Sequence, residues 1–204
     1  MRRLLPFLVL LAACSEPPAE MPPHDAEADR LLAHVTGDAW DAVWSTSASG
    51  AARYTQTLED LDPISGGATR QALDGLPANP LPAFLSDEPP YLDTAAREQY
   101  ATRILGDTTV AGRSATLIEA RFVADERRTQ AIRRVRAAVA DSVLLWVEVI
   151  RESDSVLFDE SSFVRATLAE VDGVLVPGRA DIVTGTNVPA SPTRGLTTSW
   201  RRDP

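Results

Sequence analysis

The chain has 204 residues, 44% hydrophobic and 24% charged, with a formal net charge of −9 at pH 7. That size and balance suit one globular domain with a real core. The acidity argues against nucleic acid as a partner, because phosphate backbones require a basic surface, and a single cysteine leaves no intramolecular disulfide to form.

In chain order, Arg2 and Arg3 precede an apolar run from Leu4 to Leu11 that is too short to span a bilayer. This predicts a signal segment over 1–13. The run ends in Leu11-Ala12-Ala13-Cys14, which resembles the lipobox of bacterial lipoproteins. The resemblance implies cleavage before Cys14 and a diacylglyceryl group on its sulfur. Two acyl chains give stable retention, each buried methylene adding roughly 0.8 kcal/mol. Ser15 stands where many lipoproteins kept in the inner membrane have Asp, so the implied address is the outer membrane, facing the periplasm. Residues 14–24, rich in Pro and Glu, read as a solvated tether, and 25–204 as the domain.

Asp25 to Thr36 predicts a helix with Ala28, Leu31, Leu32 and Val35 on one stripe and Gly37 past its end. Ser45 to Leu58 reads as extended. Between Asp62 and Asp93 six prolines and three glycines exclude a long helix or a central strand. Leu73, Leu76, Leu81, Phe84 and Leu85 are spread through that stretch, so it should lie across the domain as a partly ordered flap or short helices.

From Glu98 the pattern becomes strands and turns: Glu98 to Leu105, a turn at Gly106-Asp107, Thr108 to Val110, a turn at Gly112, then Ser114 to Val123. Later come Val143 to Arg151, Phe163 to Glu170, a turn at Asp172-Gly173, Val174 to Pro177, Arg179 to Thr184 and Leu196 to Arg202. No strand–helix–strand alternation appears, which predicts an antiparallel sheet. Thr116, Ile118, Ala120 and Phe122 share one face while Glu119 and Arg121 lie on the other; Val164, Ala166 and Leu168 likewise oppose Arg165 and Thr167. The strand from Val143 to Ile150 is apolar on both sides, with Val143, Leu145, Val147 and Val149 opposing Leu144, Trp146 and Ile150.

Catalytic groups are scarce. His24 falls in the tether and His34 on the first helix, a poor start for a metal site without a Cys partner. Gly112-Arg113-Ser114-Ala115-Thr116 lacks the last glycine of a nucleophile elbow, and neither a phosphate loop nor an HExxH occurs. We therefore expect no enzyme, no metal and no cofactor. One local reversal of sign stands out. Arg127, Arg128, Arg133, Arg134 and Arg136 crowd a short stretch in which Ile132, Val135 and Val139 fall at helical offsets, a contact for lipid phosphates or an acidic partner.

The helix ending near "GDAW", the run "YATRILGDTTVAGRSATLIEA", "LLWVEVI" at 144–150 and "EVDGVLVPGRADI" at 170–182 together resemble the lipoprotein carrier family of the LolA and LolB type. The resemblance spans nearly the whole chain after Cys14. It implies an α+β, mainly antiparallel β fold: an open, incomplete barrel covered by one or more helices, whose apolar hollow accepts acyl chains or the lipidated end of another protein. The residues it would place in that hollow are Ile118, Phe122, Leu144, Trp146, Ile150, Val164, Leu168, Ile182 and Trp200. Ala120, Ala166 and Ala180 would leave it room. The alternative is an envelope scaffold or binding lipoprotein with a filled core that recognises a protein partner.

Overall fold

The computed structural model describes residues 23–41, 52–61, 67–73, 81, 84–85, 88–124, 132–154, 159–171, 173–188 and 193–202. The signal segment and nearly all of the tether, with Cys14, lie outside them.

The first element is α1, Ala26–Leu32. Asp25 caps it, its carboxylate accepting from the backbone N–H of Glu27 at 2.9 Å and of Ala28 at 3.1 Å. The helix is shorter than its apolar stripe predicts, because the backbone tightens into short turns at His34 and Val35. A second helical turn then occupies 37–41, with the Thr36 hydroxyl accepting from Ala39 N–H at 3.2 Å. Gly37 thus begins a helical turn where the sequence suggested an end. Leu31, Leu32, Val35 and Trp40 are all buried, so the stripe survives the break.

Among the described residues nine strands follow: β1 Ala52–Leu61, β2 Ala68–Leu73, β3 Tyr100–Val110, β4 Arg113–Phe122, β5 Ile132–Ala140, β6 Val143–Asp154, β7 Asp159–Val171, β8 Val174–Thr186 and β9 Thr193–Arg202. They form one antiparallel sheet in the order β2-β1-β9-β8-β7-β6-β5-β4-β3. The edges β2 and β3 do not pair, so the sheet is open. The part of the chain between 62 and 93 that the sequence barred from a central strand supplies the edge strand β2, whose residues Ala68–Leu73 include none of its six prolines.

Three local features differ from the sequence reading. Gly106 is a bulge inside a continuous β3, its φ of 136° absorbing a register shift between Ile104 and Gly106. Pro177 and Gly178 do not divide β8. The register steps there against Thr167 and Leu168, and a Cβ on Gly178 would stand 3.0 Å from that of Ala169. The arginine-rich stretch, whose offsets allow a helix or a long hairpin arm, is from Ile132 the strand β5, one arm of the β5–β6 hairpin. A shift in register between Ile132 and Arg134 interrupts its alternation, which leaves the apolar residues at spacings that imitate a helix.

The apolar face of the sheet is the core. Ile118, Val135, Val147, Val149 and Val164 are each 0% exposed, and α1 lies against β3 and β4. Leu81, Leu85 and Tyr91 of the Pro-rich stretch are buried in the same apolar cluster. Tyr91 donates to the Val35 carbonyl at 3.0 Å and packs edge-on against Tyr100, whose hydroxyl donates to the Ile132 carbonyl at 2.8 Å. Burial raises both phenols, that of Tyr100 to about 12 with the nearby Arg133 opposing it. Both therefore serve as donors at neutral pH.

Removing a buried side chain that joins the lid to the sheet tests this packing. Leu32→Ala should cost about 2–5 kcal/mol in urea unfolding, whereas a loss under about 1 kcal/mol would show that α1 is not part of the core.

Candidate functional site

Opposite the core, the register assembles a row of alternating charge. Arg103 on β3 faces Glu119 on β4, Glu119 faces Arg136 on β5, Arg136 faces Glu148 on β6, Glu148 faces Arg165 on β7, and Arg165 faces Asp181 on β8. Side chains directly opposite on one face are the sheet's interacting pairs, so this row stitches six strands together.

Its carboxylates are the buried members. Glu119 is 1% exposed and Glu148 6%, each beneath arginines that reach over it. Arg103 donates to Glu119 Oε1 at 2.7 Å and Arg136 to Oε2 at 2.7 Å. Arg134 donates to Glu148 Oε1 at 3.1 Å and Arg165 to Oε2 at 2.8 Å. Asp181 accepts from Arg179 at 2.7 Å and from the Thr197 hydroxyl at 2.9 Å. Burial pushes the Glu119 carboxyl up, but the hydrogen bonds and charges of Arg136 and Arg103 outweigh it, and the group titrates below its ordinary 4.5.

The residues that the sequence proposed for a hollow do not form one surface. Ile118, Phe122, Val164, Leu168 and Ile182 lie on the apolar face. Leu144 joins them because a register shift beside Ala138 and Val139 lets it and Leu145 both bury. Trp146 and Ile150 lie on the charged face, alternating with Glu148 and facing Thr167 and Phe163 across the β6–β7 pair. Trp200 falls in β9 opposite Tyr54, and its side chain is outside the described residues.

The apolar members are covered by the chain itself. Leu31, Leu32, Trp40, Leu81, Leu85 and Tyr91 belong to the same buried cluster as Ile118, Val164 and Ile182. Phe122 sits at the margin, edge-on to Tyr100 at 5.4 Å with the Arg133 guanidinium 4.9 Å above its ring.

Of the predicted anion-contact arginines, Arg127 and Arg128 lie outside the described residues. Arg134 and Arg136 share the charged face, and Arg133 pairs with Glu152 at 3.0 Å. Sequence reasoning missed Glu119, Glu148 and Arg103 as a connected set. The one signal was Glu148 itself, an acid in the middle of "LLWVEVI", which a strand buried on both sides tolerates only if cations cover it.

Two further polar sites flank the sheet. A hollow of about 640 Å³ between α1 and the β3–β4 and β5–β6 turns is lined by both signs of charge, including Glu27, Arg30, Asp107 and Asp141. At the β3 edge, residues 23–25 dock where the sequence suggested the end of a tether. Thr102 N–H donates to the Pro23 carbonyl at 3.1 Å, and the Thr102 hydroxyl donates to Asp29 at 2.6 Å, while Arg97 bonds both Asp29 and His24. Among the described residues no group of His, Cys, Asp and Glu could hold a metal ion.

No protein-family model and no curated protein matches the chain. Among solved structures, the chain is similar to a DUF1329 family protein from Desulfovibrio piger at 9% identity, covering 83% of this chain and 90% of that one with a TM-score of 0.30.

The depressed Glu119 pKa fixes a sign. Its folded value lies below its unfolded one, so its stabilisation is complete well above pH 4.5 and is lost as the pH falls through the folded value. The urea midpoint of the native chain should fall on acidification below about pH 4.5. Glu119→Gln should start lower at pH 7 and fall less steeply in acid; an unchanged acid limb in that variant would mean that Glu119 is not one of its sources.

Proposed function

We propose that the chain is a cell-envelope lipoprotein, tethered through lipidated Cys14 to the outer membrane on its periplasmic side, whose domain is a non-catalytic binding module. It recognises an anionic partner through the charged face. The observation that carries this reading is the occupancy of the apolar face. The acyl-binding alternative needs that face free, and here α1, Trp40, Leu81, Leu85 and Tyr91 bury it with the chain's own side chains. Opening it would expose Leu31, Leu32, Leu81 and Leu85 together at roughly 1.5–3 kcal/mol each, so a lipid would have to replace all that contact.

The charged face, by contrast, is already polar and formed. Its arginines are held in place by buried carboxylates, so binding there loses little side-chain entropy. The location and the lack of catalysis rest on the lipobox-like "LAAC" and on the scarcity of nucleophile, base and metal ligands in the sequence.

Two measurements test this reading. Cys14→Ala should leave the membrane fraction and lose its fatty-acid label; retention with the label intact contradicts the anchor. Mass spectrometry of the extracted full chain should recover only covalently attached acyl chains, and one equivalent of non-covalent lipid bound in the interior would restore the carrier reading.

A further inference from the structure

We propose that the β3–β6 end of the charged face is a binding site for a phosphate group, with Arg121 and Arg134 as its clamp. This deepens the reading above, on which it rests for the charged face being a binding surface. Here β3 to β6 form a depression of about 370 Å³ into which five arginines turn, Arg103, Arg121, Arg133, Arg134 and Arg136. Two carboxylates, Glu119 and Glu152, line it with them. On a chain of net charge −9 this is a concentrated local excess of positive charge.

The pairing within the depression identifies the clamp. Arg121 and Arg134 stand directly opposite each other across the β4–β5 pair, an arrangement that is destabilising for like charges at roughly 4.5–5.5 Å between Cβ atoms. The nearby carboxylates do not relieve it, because they are already taken. Glu119 gives one oxygen to Arg103 and the other to Arg136, Glu148 is shared by Arg134 and Arg165, and Glu152 is held by Arg133. Arg121 is exposed and forms no ion pair among the described residues. Arg134 spends one terminal nitrogen on Glu148, and its buried Nε has no partner.

An anion between the two guanidiniums neutralises the repulsion. A phosphate suits the geometry better than a carboxylate, since its several oxygens can accept from forks approaching on separate strands and its charge matches a site with more than one surplus cation. Ile150 and Phe122 line the same depression, offering apolar contact to whatever carries the phosphate. The phosphate can belong to a lipid headgroup or to a soluble phosphoester.

The test uses the full chain with Cys14→Ala, so that no acyl anchor contributes. One arm titrates inorganic phosphate by calorimetry at fixed ionic strength, and the other floats the protein with phosphatidylglycerol vesicles. Arg121→Gln should weaken binding roughly tenfold or more without lowering the melting temperature, because it removes a like-charge contact. Arg70→Gln, which takes the same charge from the Arg70–Glu59 pair between β2 and β1, should leave binding unchanged. Saturable binding to phosphate with this pattern supports the site and a soluble source; binding to vesicles alone with this pattern supports it and a headgroup source. Absence of binding in both arms overturns it, as does equal loss in the two variants. Neither arm reads the Cys14 anchor or lipid in the core, so failure here is separable from failure of the envelope reading.

Discussion

A carboxylate taken out of water at mid-sheet is tolerable only beneath cations, and Glu119 and Glu148 impose that condition on this structure. Each of their four oxygens receives a different arginine, and the donors come from β3, β5 and β7. A slip of one residue in any of these strands would carry its arginine to the apolar face and strip a buried acid of one of its partners. The polar row thus specifies register more sharply than the neighbouring valines and alanines do, since these differ little from one position to the next.

The opposite face depends on that register. With β4 to β8 fixed, Ile118, Val135, Val149, Val164 and Ile182 form a continuous apolar strip. The chain covers it from its N-terminal side with α1 and from the middle with Leu81, Leu85 and Tyr91. Polar links hold this cover down: Tyr91 to the Val35 carbonyl, and Asp29 to Thr102 and Arg97 on the sheet side.

Much of this was legible in the sequence. The strict alternation of Thr116 to Phe122 and of Val164 to Leu168 gave the correct faces, and the turns at Gly112 and near Gly173 fell where positive φ was needed. What escaped has physical reasons. Gly106 has the same turn signature whether it ends a strand or bulges it. Ile132, Val135 and Val139 mimic a helix because a shift in register at Arg133 upsets the period of two. "LLWVEVI" is apolar on both sides, so Trp146 and Ile150 could not be assigned to a face without their neighbours Thr167 and Phe163. The charge row joins residues from six strands, and only the register reveals that they meet. Arg121 was visible as a polar-face residue, but its confrontation with Arg134 was not.

The functional account therefore turns on a charged face that is structural in its acids and available in part of its arginines. If Glu148 and Arg165 act as one unit, their contributions cannot be independent. A double-mutant cycle with Glu148→Gln and Arg165→Gln, read as urea unfolding free energy at neutral pH, tests that dependence most directly. The account predicts a favourable coupling of about 1 kcal/mol or more, with Glu148→Gln strongly destabilising. Coupling within about 0.3 kcal/mol of zero would contradict it, for the row would then be surface decoration and the register would have to be held by the apolar face alone.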